Sequence, residues 1–134
     1  LSPRTLFTIA ALSGFLSVAL GAFAAHGLIH VIPFPELMET FQTGVRYQMF
    51  HTSALFAVGL LGLFQPGLKM KWLRWASYSF IFGILVFSGS LYILTITGVR
   101  WLGAITPIGG FAFLIGWGLT ALWVQDLKVR EDRA

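Results

Sequence analysis

His26, Arg46, Tyr47, Gln48, His51, Ser90, Tyr92 and Thr106 are the side chains of this 134-residue chain best equipped to bind, titrate or bond. An imidazole can carry a proton near neutral pH or ligate a metal, a guanidinium can hold an anion, and amides and hydroxyls can both donate and accept. Four of them fall within Phe41 to Phe64, an apolar run long enough to cross a bilayer. There Gly44, Gln48, His51 and Leu55 recur at spacings of three and four and so share one helix face. Arg46 lies on another side, with Glu39 seven residues earlier as its expected counter-charge. Hydrocarbon offers such groups no bonds, so other helices must supply them.

The rest of the chain has the means to do so. It is 57% hydrophobic and only 10% charged, with a mean hydropathy of +0.81. Its charges sit between apolar runs of about 20 residues, the length that crosses the bilayer core. The pattern predicts an all-α integral membrane four-helix bundle, one transmembrane domain over 1–134, with spans of about 5–26, 42–64, 73–97 and 102–124. A cleaved signal peptide is the rival reading of the first run, because Ala22-Phe23-Ala24 imitates a cleavage site, but the run is long for one. The net charge of +4 comes without a continuous basic patch, so no nucleic-acid partner is expected. With no cysteine there is no disulfide framework or thiolate chemistry.

Each span has its own packing signal. Ser13, Ser17, Gly21 and Ala25 repeat every fourth residue in the first, and Gly109, Ala112, Gly116 and Thr120 form a similar stripe in the fourth. Small residues let helices approach closely, a main source of attraction between helices in lipid. Pro33-Phe34-Pro35-Glu36 reads as a helix start, and from Pro35 one helix can run to Phe64, its first turns lying in the interface or bending near Gly44. Gln65-Pro66-Gly67 is its expected stop. Trp72 and Trp75 mark a membrane border. Gly83, Ser90 and Thr97, seven apart, are expected on one face of the third span. Gly98-Val99-Arg100-Trp101 reads as a tight turn before the fourth, whose opening turns contain Pro107.

Orientation follows from the cations. Arg4, Lys69, Lys71, Arg74, Lys128, Arg130 and Arg133 fall on one side, Arg46 and Arg100 on the other. Seven against two places both termini in the cytoplasm by the positive-inside rule. Residues far apart in sequence then reach the same height: His26, Arg46, Gln48, His51, Ser88, Ser90, Tyr92, Thr95 and Thr106 all belong to the extracytoplasmic half. The other half, including Ala54 to Phe64 and Ser79 to Leu85, is nearly all apolar, which argues against a polar path across the membrane. For His51 the expectation is a neutral core histidine bonded to a Ser, Thr or Tyr hydroxyl of a neighbouring helix. Haem ligation by His26 and His51 lacks a supporting motif. No paired carboxylates, HExxH, P-loop or GxSxG pattern is present. No catalytic residue, metal or cofactor is therefore expected.

Gly21-Ala22-Phe23-Ala24-Ala25-His26-Gly27-Leu28, the run Phe41 to His51, Gly89-Ser90-Leu91-Tyr92, and Leu102 to Gly110 together resemble the small membrane family called domain of unknown function 423. That family includes bacterial inner-membrane proteins and the animal transmembrane protein 256 group. One departure is Ala24-Ala25, where a glycine is expected. The resemblance implies a compact four-helix protein without an established catalytic residue. It singles out His26, Arg46, Tyr47, Gln48, His51, Ser90, Tyr92, Thr106 and Pro107.

The functional expectation is a multi-pass protein of a bacterial inner membrane. It would act without catalysis, as an accessory or assembly partner of a larger membrane complex or as a self-associating module. The alternative is a small-molecule or lipid-binding protein, or an oligomeric transporter, with an outer-leaflet polar pocket. A haem or quinone site is the third reading.

Overall fold

Ser2 opens the first rod. Its side chain accepts a hydrogen bond from the Thr5 amide, and Pro3 takes a first-turn position where a missing N–H costs little. Helix α1 (Pro3–His26) runs from there to Gly27, whose amide closes the last turn on the Phe23 carbonyl. Single 3-10 turns at Leu28–His30 and Pro35–Leu37 lead into α2 (Met38–Phe64). The third rod consists of α3 (Met70–Gly83), a π-helical turn at Ile84–Ser88, and α4 (Gly89–Thr97). Gly98 ends it in the left-handed region, at φ 73°, a conformation that glycine takes without a Cβ penalty. A 3-10 segment, Arg100–Ala104, then precedes α5 (Thr106–Glu131), with Pro107 in its first turn. This computed structural model describes residues 1–64 and 70–131, without the side chains of 128–131. The expected stop at Gln65-Pro66-Gly67, together with Lys69 and Arg133, lies outside the described residues.

The rods are 24, 30, 28 and 28 residues long and apolar enough to cross a membrane. At 1.5 Å per residue even the shortest exceeds the roughly 30 Å hydrocarbon core. Among the described residues there is no strand. The chain is thus an all-α, four-span membrane bundle. In it α1 packs on α2, α2 on the α3–α4 rod, and α5 on α3 and the π turn. Two hairpins are joined through their second and third rods.

Long-range contacts fix which ends lie together. The amino-terminal nitrogen is 3.5 Å from the Tyr78 hydroxyl, and the Trp72 indole donates to Asp126 at 3.1 Å. The start of α1, the start of α3 and the end of α5 therefore share one end. At the other, Arg100 pairs with Glu36 at 3.2 Å, and Phe34 packs on Gly98. An apolar core containing Leu55, Val58, Ala76, Phe80, Phe113 and Trp123 fills the bundle, and a smaller one around Leu28, Phe41 and Val45 closes the loop end.

The tightest seam lies between the third rod and α5. A Cβ on Gly109 would stand 2.4 Å from the Phe87 backbone nitrogen, and one on Gly83 or Gly116 would strike the ring of Phe113 or Phe80. The expected stripe on α5 is therefore the contact surface for Gly109, Ala112 and Gly116, while Thr120 is only half-buried. On α1 the stripe drifts: Ser17 and Ala24 are buried but Ala25 is exposed. A four-residue repeat advances about 40° more than one full turn at each step, so its end leaves the seam. Thr97 also departs from expectation. It is exposed and its hydroxyl bonds the Ile93 carbonyl of its own helix, while the buried face of that last turn is formed by Leu94 and Thr95.

Gly109→Ala should destabilise the protein by about 1–3 kcal/mol, the usual cost of forcing extra volume into a filled seam. Gly118→Ala, whose new methyl would meet nothing within 4 Å, should be neutral or slightly stabilising. Thermal melting in detergent followed by circular dichroism compares them, and equal melting would contradict the seam.

Candidate functional site: the polar half of the bundle

Gln48 is buried in the second helix, a depth at which its amide must be fully bonded. Its nitrogen donates to the Ser13 carbonyl of α1 at 3.1 Å, and its oxygen accepts from the Tyr92 hydroxyl of α4 at 2.6 Å. One turn further along α2, Thr52 shares a 2.6 Å bond with the Ser13 hydroxyl. Gly44, one turn before Gln48, has no side chain because the Tyr92 ring occupies the space; a Cβ there would lie 2.8 Å from that ring. The Ser88 hydroxyl, from the π turn, donates to the buried Gly44 carbonyl at 2.7 Å. One amide and its neighbours thus tie three rods together.

His51 is also buried, but its bonds run the other way, toward α5. Nδ1 is 2.8 Å from the Tyr47 carbonyl, and Nε2 is 3.2 Å from the Trp117 indole nitrogen. A carbonyl can only accept and an indole N–H can only donate. The assignment that satisfies both is the neutral ring with its proton on Nδ1. The imidazole stacks on Phe113 with ring centres 3.5 Å apart and planes within 6°. The expected hydroxyl partner is therefore replaced by a backbone carbonyl and an indole. The hydroxyls at this depth are already engaged: Ser90 with Thr106 at 2.7 Å, Ser88 with Gly44, and Thr95 with the Leu91 carbonyl at 2.8 Å.

The candidate residues consequently divide into several groups instead of one cluster. Gln48 and Tyr92 belong to the α1–α2–α4 bonds, His51 to the α2–α5 contact, and Ser90 with Thr106 to the α4–α5 contact. Arg46 is exposed and paired with Glu39, as expected, and also reaches the Thr43 hydroxyl at 3.2 Å. It does not join Gln48, because it points away from the face shared by Gly44, Gln48 and His51. His26 is exposed at the end of α1, where the chain leaves the bundle, and stays outside the polar bonds. Tyr47 is 44% exposed and lies flat on Phe87 with ring centres 4.4 Å apart.

Three partners escaped the sequence reading. Ser13 reads in the sequence as a small packing residue, and Trp117 and Phe113 lie unmarked within the apolar fourth span. Their four-residue spacing on α5 was the available signal, but it does not say which residue they face. Between α2 and α5 they line an open groove of about 770 Å³, together with Arg46, Tyr47, Phe87 and His51. Among the described residues no group of His, Cys, Asp or Glu could hold a metal ion, and one buried polar side-chain atom, the Trp123 indole nitrogen, has no hydrogen-bond partner.

Four lipid-crossing rods whose buried hydrophilic groups bond one another define a small multi-pass helical membrane protein. The chain belongs to the family described as "Protein of unknown function (DUF423)", which matches residues 20–110. It is 50% identical over 110 residues to a "UPF0382 membrane protein" of Haemophilus influenzae, covering 82% of this chain and 85% of that protein. It is 42% identical to "UPF0382 membrane protein YwdK" of Bacillus subtilis, covering 85% and 90%. To "UPF0382 inner membrane protein YgdD" of Escherichia coli K12 it is 41% identical, covering 96% and 95%. No solved structure matches the chain.

Replacing His51 with Leu leaves the Trp117 N–H without an acceptor and should cost about 1–3 kcal/mol, with His51→Gln milder because it can still bond. Trp117→Phe should recover part of the loss when added to His51→Leu. Melting of the single and double variants forms a mutant cycle. Additive losses, or equal melting of the Leu and Gln variants, would show that this bond holds nothing.

Proposed function

We propose that the protein is a non-enzymatic helical module of the membrane, acting as an accessory or assembly partner of a larger complex or by associating with its own copies. The observation that carries this reading is the double engagement of His51. A general base or nucleophile activator needs a free lone pair or proton directed at a substrate. Here both ring nitrogens are spent on Tyr47 and Trp117. The same engagement speaks against His51 as an axial haem ligand, and the exposed position of His26 separates it from the bonded groups. Gln48, Ser90, Tyr92 and Thr106 are likewise used within the bundle. The large apolar surface left outside, including Phe15, Phe50, Phe111, Leu114 and Ile115, faces lipid or other helices. A second reading, a lipid or small-molecule site, is favoured by the groove between α2 and α5.

The orientation belongs to the same reading. The end that gathers the start of α1, the start of α3 and the end of α5 also carries Arg4, Lys71 and Arg74, and the positive-inside rule turns it to the cytoplasm. Because the chain has no cysteine, single introduced thiols report on it cleanly. In intact spheroplasts an impermeant maleimide should label Val99→Cys and spare Lys71→Cys; the reverse pattern would invert the topology.

Purification in mild detergent followed by mass analysis of the intact species tests the module itself. The expected result is a homo-oligomer or a reproducible stoichiometric complex with another membrane protein. A strictly monomeric species without a co-purifying protein would overturn it.

A further inference from the structure

The groove between α2 and α5 has dimensions and chemistry that point to a particular occupant. Its walls are Tyr47 and Phe50 on α2, Phe87 of the π turn, and Pro107 to Trp117 on α5. That stretch of α5 covers ten residue steps, about 15 Å of helix, which is half the roughly 30 Å hydrocarbon core. The groove thus extends through one leaflet and stops at Trp117, where the indole donates to His51 and packs edge-on against Phe80. A transmembrane helix crosses both leaflets and would find a seat for only half its length. An acyl chain is one leaflet long.

At the shallow end of the groove stands Arg46. It pairs with Glu39, and the two side chains are 57% and 71% exposed. An exposed carboxylate is stable in the headgroup and water layer, not among acyl chains, so the pair marks the membrane surface. Glu39 and Thr43 both engage one terminal nitrogen, Nη2. Nε and Nη1 take no part in those two bonds, and a guanidinium's planar fork suits a phosphate. Apolar walls one leaflet deep, with a cation at the headgroup level, match the two ends of a phospholipid.

The geometry points to a single-phospholipid site: one acyl chain lies along the aromatic wall between α2 and α5 down to Trp117, and the headgroup phosphate meets Arg46. The site meets the internal hydrogen bonds only at its floor, where Trp117 and His51 line it, and it uses none of their donors or acceptors. It is also independent of whether the protein assembles with partners.

The test uses the full chain, delipidated in mild detergent, titrated with dioleoylphosphatidylglycerol and read by native mass spectrometry. One lipid per chain should be retained. Gly110→Phe, which fills the groove, and Arg46→Gln, which removes the cation, should each weaken retention at least about ten-fold, the scale of one lost charge-assisted contact. Leu114→Trp fills the groove from another position should the first variant fail to fold. Glu39→Gln frees the guanidinium and should leave retention equal or stronger. Absence of a lipid adduct, an adduct indifferent to the groove-filling variants, or equal loss in Glu39→Gln and Arg46→Gln would overturn the site. So would a dimer that Gly110→Phe dissolves, because the groove would then hold a second copy of the chain.

Discussion

A buried amide or imidazole at membrane depth has nowhere to find hydrogen bonds except in protein, and this constraint shapes the bundle. Gln48 and His51 lie less than one turn apart on α2, yet they bond in different directions, one to α1 and α4, the other to α5. The second helix is thereby held from several sides by groups that would each cost several kcal/mol if left open to hydrocarbon. Apolar contacts alone discriminate weakly between rotations of a helix in lipid, since acyl chains are as apolar as leucine. Directional bonds choose the rotation.

Those bonds depend on backbone proximity, which the glycines supply. Gly44 makes space for the Tyr92 ring, and its buried carbonyl accepts from the Ser88 hydroxyl. Gly109 lets α5 reach the backbone of the π turn, and this brings Thr106 to Ser90 at one end of the seam and Trp117 toward His51 further along. Close approach and bonding support one another in the half that holds Gln48, Ser90 and Thr106. The other half relies on packing, through Phe80, Val58 and Trp123.

Much of this was legible in the chain itself. Four apolar runs of membrane length, the shared face of Gly44, Gln48, His51 and Leu55, and the Glu39–Arg46 pair all follow from periodicity along one helix, and local spacing is what sequence records directly. Which helix each side chain meets is a property of three-dimensional rotation, so the sequence pairs His51 with a hydroxyl where the structure has Trp117, and it puts His26 and Gln48 at one height although only Gln48 joins the polar bonds. The groove was illegible for the same reason: its walls come from three separated stretches, each of which alone resembles ordinary lipid-facing sequence. The π turn has no local signal at all, since Ile84 to Ser88 reads as a continuous apolar helix.

That turn determines the angular phase of everything after it. A π turn accommodates one residue more than an α turn, so the five residues from Ile84 to Ser88 set the azimuth at which α4 emerges. Excising one of them would let the turn close as ordinary α-helix and leave Ser90, Leu91 and Thr95 near their present azimuth, whereas excising a residue from the regular α3 would rotate everything beyond it by about 100°. The third rod can therefore absorb a one-residue change in length at this turn and nowhere else along α3 or α4 without losing its register.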